Sequence, residues 1–261
     1  MVQRTSLYKR NKGKRLYDNN LTSFIKRSIH PFLLNLASTK VIFKMEECFL
    51  KSGNRSKIPK TRGIIFACNH TNSHDIPIAL KAIKKHTYLL IGKQPLYKID
   101  ELFFNLNGAI YVDRKDSNDM RLSKKAMIGN VKSGRNLLMW PEGTWNMTDA
   151  QLMLMMKWGI IEVAQRSGAI IVPMALDYDY DKKICRYMFG KPMDVRGMTL
   201  KDGIDCLRDS MATLRWYLFE KRGIYRRKKL NIDDERRLLV SLVEEYPKLD
   251  FEYEKSVVFK G

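Results

Sequence analysis

Cysteine is scarce in this chain: four residues in 261, at positions 48, 68, 185 and 206, none in C-x-x-C spacing. That excludes a small disulfide-stapled secreted scaffold and a C-x-x-C metal site, and suits reduced thiols in a cytoplasmic setting. Long apolar runs are lacking too. No stretch reaches the roughly 18 uninterrupted apolar residues that a transmembrane helix needs, so no bilayer span is expected. The opening residues, MVQRTSLYKRNKGKRLYDNN, are basic and polar and lack the apolar core of a signal peptide. Acidic residues are the minority charge, 28 Asp and Glu against 48 Lys and Arg, for a formal net charge of +20. So large an excess predicts a polyanionic surface or substrate, which an anionic membrane or a nucleic acid would each satisfy.

Hydrophobic residues make up 44% of the chain, ample for a buried core. Residues 21 to 36 set Leu21, Phe24, Ile25, Ile29, Phe32, Leu33 and Leu36 on one helical stripe, interrupted by Pro31 and bordered by Lys26 and Arg27. Such a stripe packs on a core or lies in a membrane interface, and both readings stay open. From about 61 to 195, β-type runs at GIIFACN, TYLLIGK, GAIYVDR, NLLMWPEG and AIIVPMALDY alternate with helical stretches such as HDIPIALKAIKK and KWGIIEVAQRSG. This alternation predicts an α/β core. Gly134 and Gly168 fall where intervening helices should end, a place that favours the left-handed conformation. After Thr199 the pattern turns helical again, with Ile204, Leu207, Met211, Leu214 and Leu218 on one face, and then becomes highly charged. The division expected is a basic tail with amphipathic helices over 1–60, an α/β core over 61–200 and a C-terminal helical extension over 201–261.

The segment ACNHTNSHDIPIAL carries the most suggestive chemistry. A strand stops at Asn69 and His70 and a helix begins near Ser73. Sites in α/β proteins gather at the carboxyl ends of strands, and an imidazole there can serve as a general base if a carboxylate fixes its tautomer. Asp75 is placed to do this; alternatively Asn72 caps the helix with Asp75 as its reciprocal partner. His70 and His74 stand four apart, a metal-helix spacing, so a metal-dependent hydrolase is a second reading. It lacks the glutamate of H-E-x-x-H and an obvious third ligand. Farther on, Pro141, Glu142, Gly143 and Thr144 form a turn after a β-type run; read alone, it is a tight turn with Glu142 in solvent. Lys93 and Arg114 add cations at other strand ends, suited to an anionic group.

In order, NHTNSHD, GKQPLYK, GAIYVDR, PEGTWN, KWG and IVPMAL resemble the glycerolipid acyltransferase family, in particular the 1-acylglycerol-3-phosphate acyltransferases, over roughly residues 60 to 180. The resemblance implies that His70 is the base that deprotonates the acceptor hydroxyl, with Asp75 supporting it. The hydroxyl then attacks the thioester of acyl-CoA or acyl carrier protein directly, so no acyl-enzyme forms and Cys68 is a packing residue. It assigns Arg114, Glu142, Gly143 and Thr144 to the acceptor and its phosphate, with Lys93 and Lys157 as further cations. Asn69, Gly108, Pro141, Trp145 and Pro173 are expected to shape the pocket or its acyl-donor end. The chain departs from the family where arginine and then serine usually follow E-G-T: it has Trp145 and Asn146. One expected phosphate contact is thus missing.

The resemblance also implies a mixed central sheet flanked by helices, with an N-terminal amphipathic segment docking on the bilayer. The expectation is therefore an O-acyltransferase of lysophospholipids that needs no cofactor beyond its acyl-thioester co-substrate. It would sit peripherally or monotopically on the cytoplasmic face of the cell membrane, against anionic lipids. A nucleic-acid partner is not expected, because the Lys and Arg are spread along the chain and no nucleic-acid motif is present.

Overall fold

The computed structural model describes residues 18–38, 41–49, 63–93, 98–146 and 151–223. The basic N-terminal tail before residue 18 and the charged C-terminal segment after residue 223 lie outside the described residues. Helix α1 covers Asn20–Ser38; strands β1 and β2 cover Lys44–Glu47 and Ile64–Cys68; α2 is Asp75–Ile83. Then come β3 (Thr87–Gly92), α3 (Lys98–Asn107), β4 (Ala109–Val112), α4 (Ser117–Lys132) and β5 (Asn136–Met139). Helix α5 (Gly159–Ser167), β6 (Ile170–Asp179), β7 (Ile184–Phe189) and α6 (Leu200–Arg222) complete the order.

The strands form one mixed sheet in the order β1-β7-β6-β2-β5-β3-β4. Strands β2 to β6 are parallel to one another, whereas β7 runs antiparallel to β6 and carries β1 parallel to itself. All of IIFAC in β2 is buried, as a strand covered on both faces must be. Ile64, Phe66 and Cys68 face a cluster with Ile78, Leu80 and Ile83 of α2 and Phe104 of α3. Ile65 and Ala67 face the other side, with Met127 and Val131 of α4, Ile160 and Ile161 of α5, and Leu207 and Met211 of α6. The expected α/β architecture is present, and Gly134 and Gly168 both take positive φ at helix ends, +77° and +69°. The predicted face of α6 is largely inward, with Leu207, Met211, Leu214 and Leu218 buried.

Three expectations need correction. Residues 44–47, assigned to the helical N-terminal segment, are a strand, because KMEE pairs with β7 from Lys44↔Ile184 to Glu47↔Tyr187. Strand β7 was itself not anticipated: six residues beyond a turn gain strand identity from pairing with β6. Pro31 does not interrupt α1. His30 and Leu33 on either side are buried, and His30 Nδ1 meets Asn107 Oδ1 at 2.9 Å, so packing on α2 and α3 carries the helix past the bond that proline cannot make. Of the stripe on α1, Leu33 turns inward, while Leu21, Phe24, Ile25, Phe32 and Leu36 are exposed.

Asn107 also ties α3 to the sheet. Its Nδ2 donates to the Thr87 carbonyl at 3.0 Å, and its own carbonyl lies 2.7 Å from His86 Nε2. Burial is the main reason that the His86 imidazole is lowered from 6.5 to about 4, and burial lowers His30 beside it in the same direction. Between those values the unfolded chain binds a proton that the folded protein refuses. Stability is therefore complete above pH 6.5 and declines as the pH falls towards 4. Denaturant midpoints measured from pH 7 down to pH 4.5 should fall in the wild type and fall less steeply in His86→Gln.

Candidate active site

Strand β2 ends at Cys68, and the next two residues are fixed by opposite devices. Asn69 is fully buried and extends the sheet with its side chain: Nδ2 donates to the Leu176 carbonyl at 3.0 Å, and Oδ1 accepts from Leu176 N at 2.7 Å. His70 is held by its backbone, donating N–H to Glu142 Oε1 at 3.1 Å and accepting from Asn146 N at 2.6 Å. Both partners come from the loop after β5, so two segments about seventy residues apart are clamped together at this residue.

Asp75 opens α2 and is buried without exposed surface. Its Oδ2 accepts from His70 Nδ1 at 2.8 Å, Thr71 N at 2.5 Å and Asn72 N at 3.0 Å; its Oδ1 accepts from Thr71 Oγ1 at 3.1 Å and Tyr178 Oη at 2.6 Å. Asn72 Oδ1 accepts from His74 N at 2.8 Å in a turn that precedes the helix; the N-cap position is His74, without a side-chain cap, so Asn72 is not the cap that the alternative reading made it. The first helical residue is Asp75 rather than one near Ser73. His70 and His74 face different neighbours: the His74 ring packs edge-on to Phe43 at 5.4 Å, the His70 ring lies tilted against Trp140 at 5.1 Å.

The tautomer of His70 follows from its partners. A carboxylate oxygen can only accept, so Nδ1 carries the proton; an indole N–H can only donate, and Trp145 Nε1 lies 2.8 Å from His70 Nε2. Both contacts leave the basic lone pair on Nε2, the arrangement that a general base requires. Burial and, next, the Asp75 charge push the Tyr178 phenol well up, which keeps it a donor.

The other expected residues divide by position. Glu142 is not in solvent: it is buried, and besides His70 N it accepts Leu154 N at 2.8 Å. Burial raises its carboxyl, against the pull of these two N–H groups and of Arg215. It braces the loop rather than facing an acceptor. Gly143 has φ +74° and an Arg114 guanidinium nitrogen 3.3 Å from where a Cβ would stand, while Arg114 Nη1 donates to the Gly143 carbonyl. Arg114 thereby joins the end of β4 to the loop. Lys93 pairs with Asp113 at 2.7 Å. Pro141 is buried and accepts Lys157 N at 2.8 Å, whereas the Thr144 and Lys157 side chains are exposed.

Two pocket expectations are corrected by topology. Gly108 precedes β4, at the end of the parallel strands opposite His70, and a Cβ there would stand 2.7 Å from the Tyr88 ring. Pro173 lies inside β6, paired with Ala67 and buried; a Cβ on Gly190 would meet it beside Leu214 of α6. It packs on the α6 face. The Cys68 thiol is fully buried and raised well above its ordinary value by that burial, which suits packing.

Residues that sequence reasoning missed include Tyr178, Thr71 and Asn146. Tyr178 sits near the carboxyl end of β6, next to β2, and that strand-end placement was the available signal. Arg215 of α6 was missed as well: buried, it donates to the Leu152 carbonyl at 2.6 Å and supports the segment that Glu142 holds. Glu142→Gln would turn an amide NH2 towards one of two buried N–H donors. It should lower stability by about 1–3 kcal/mol in denaturant titration, the penalty of a buried donor left unpaired.

Residues 50–177 match the Acyltransferase family model. A curated relative, the lyso-ornithine lipid O-acyltransferase of Pseudomonas aeruginosa, is 26% identical over 118 residues, which span 45% of this chain and 44% of that protein. The crystal structure of the 1-acyl-sn-glycerophosphate (LPA) acyltransferase PlsC from Thermotoga maritima superposes with a TM-score of 0.56 at 15% identity, covering 79% of this chain and 83% of that one. This last likeness concerns the fold: a mixed sheet flanked by helices. Motif order and family match agree: residues 50–177 form a domain that matches the Acyltransferase model, over the stretch whose motifs resemble the glycerolipid acyltransferases.

Proposed function

We propose that this protein transfers a fatty acyl chain from an acyl-CoA or acyl carrier protein thioester to the free hydroxyl of a lysophospholipid. The acceptor proposed is 1-acylglycerol-3-phosphate, giving phosphatidic acid. The observation that carries the reading is the tautomer of His70: Asp75 holds Nδ1–H, so the basic lone pair is on Nε2, where the Trp145 N–H meets it in the absence of substrate. The acceptor O–H gives its proton to Nε2 as its oxygen attacks the thioester carbonyl carbon. The tetrahedral oxyanion then collapses, the C–S bond breaks, and the departing thiolate takes the proton from Nε2. Direct transfer is favoured by the surroundings of the base: Thr71 Oγ1 is bonded to Asp75, and the Cys68 thiol is buried.

Arg114, Lys93 and Lys157 supply the positive charge for the head-group phosphate, with Arg114 closest in connection to the loop beside His70. A second reading is another lysolipid acceptor. It is favoured by Trp145, which stands where the family pattern has arginine and which touches the base instead of offering a cation. The name of the Pseudomonas relative points the same way.

Among the described residues no helix is long and apolar enough to cross a membrane. The exposed Phe24, Ile25 and Phe32 of α1, with Ile99 and Leu102 exposed on neighbouring α3, form the membrane-docking face in this proposal. The +20 charge would add attraction to anionic lipids at roughly 1 kcal/mol per cation near the surface. In this proposal the enzyme sits peripherally or monotopically on the cytoplasmic face of the membrane.

His70→Ala should lose on the order of a hundred- to ten-thousandfold in acyl transfer while remaining folded, measured with labelled acyl-CoA, a carrier-protein donor in parallel and a panel of lysolipids. Near-normal turnover would overturn the mechanism, and the preferred lysolipid decides between the two acceptors. Sedimentation with vesicles should increase with phosphatidylserine content and weaken with salt, and Phe24→Asp/Phe32→Asp should reduce it.

A further inference from the structure

The base is occupied in the structure by a residue that no assigned role requires to be there. Trp145 Nε1 donates to His70 Nε2 at 2.8 Å, on the lone pair that the acceptor hydroxyl must use. The ring meets the imidazole edge-on at 5.8 Å, and the side chain is 37% exposed, so it covers the base from the solvent side. The backbone around it is fixed. Gly143 is held by Arg114, and Asn146 N donates to the His70 carbonyl at 2.6 Å. Rotation of the indole side chain alone would free the nitrogen.

We infer that Trp145 is a positioning residue that reserves Nε2 of His70 against water and yields it to the acceptor hydroxyl. The inference rests on the reading of His70 as base. A base with its lone pair open to solvent, facing a bound thioester, would accept a proton from water as readily as from a lipid hydroxyl. Water oxygen would then attack the carbonyl carbon, the C–S bond would break, and the products would be free fatty acid and thiol. An indole N–H already on Nε2 blocks that water. A lysolipid bound by its chain and head group brings its hydroxyl at far higher local concentration than its bulk value and displaces the indole. Releasing that neutral hydrogen bond contributes roughly a two- to tenfold factor to the occupancy of the open state. An arginine at this position would carry a charge that favours the head-group phosphate, whereas the neutral indole N–H favours a lone-pair acceptor such as the imidazole. The substitution therefore exchanges a head-group contact for control of the base.

The decisive experiment compares wild type with Trp145→Phe, which keeps a ring but has no N–H. Hydrolysis of acyl-CoA without acceptor should rise roughly two- to tenfold relative to acyl transfer with saturating lysophosphatidic acid. An active variant whose ratio of hydrolysis to transfer is unchanged overturns the inference. In the wild-type protein, the 15N-labelled Nε1 of Trp145 and Nε2 of His70 should show a coupling across their shared proton. The coupling should vanish as a short-chain lysophosphatidic acid is titrated in. Its absence from the free protein, or its persistence at saturation, also overturns the inference. If the wild type transfers no acyl group to any lysolipid, the function reading fails instead, and the nitrogen coupling still reports whether the indole holds the base.

Discussion

A carboxylate sealed inside the protein, with every lone pair spoken for, organises this site. Asp75 accepts two backbone N–H groups, a threonine hydroxyl, a tyrosine phenol and the imidazole of His70, and has no exposed surface. A buried charge is tolerated only when its hydrogen bonds are complete, so each donor is held in place by the cost of leaving the carboxylate short. The turn between β2 and α2 thus closes around one oxygen pair. The orientation of the base is a consequence of that closure.

The same logic operates a shell farther out. Glu142, also buried, takes one N–H from His70 and one from Leu154, and Arg215 reaches the neighbouring carbonyls from α6. Asn69 extends the β2–β6 ladder by a side chain where backbone pairing ends. These contacts anchor His70 to β6, to the loop after β5 and to α6 at once. Rigid support of this kind lets the reacting nitrogen be aimed while the rim, with Thr144, Lys157 and Trp145 exposed, stays open to exchange.

Much of the arrangement was legible from residue order. Apolar runs of five or six residues separated by amphipathic stretches marked the parallel strands, and the position of His70 after such a run marked it as a strand-end residue. The edge strand β1 was not legible: KMEE has no β pattern of its own and becomes a strand only because β7 offers it a partner. Pro31 misled for the same reason, since a local rule for helix ends was outweighed by burial of His30 and Leu33. Gly108 and Pro173 were grouped with the pocket by resemblance, yet a parallel sheet has two ends and two faces, and neither residue lies on the end and face that hold His70.

The sequence by itself determined the chemistry available: an imidazole and a carboxylate five residues apart at a strand-to-helix turn, a later turn bearing a second carboxylate, and a large positive charge. Spacing along a chain settles which groups can meet locally, and His70 with Asp75 is such a case. Tertiary structure decided what no local spacing could. It turned Glu142 inward, brought Tyr178 onto Asp75 from 103 residues away and set Trp145 on the base from 75 residues away. Those contacts exist because parallel pairing of β2 with β5 and β6 carries three distant chain segments to the same end of the sheet, where burial makes an unpaired carboxylate costly.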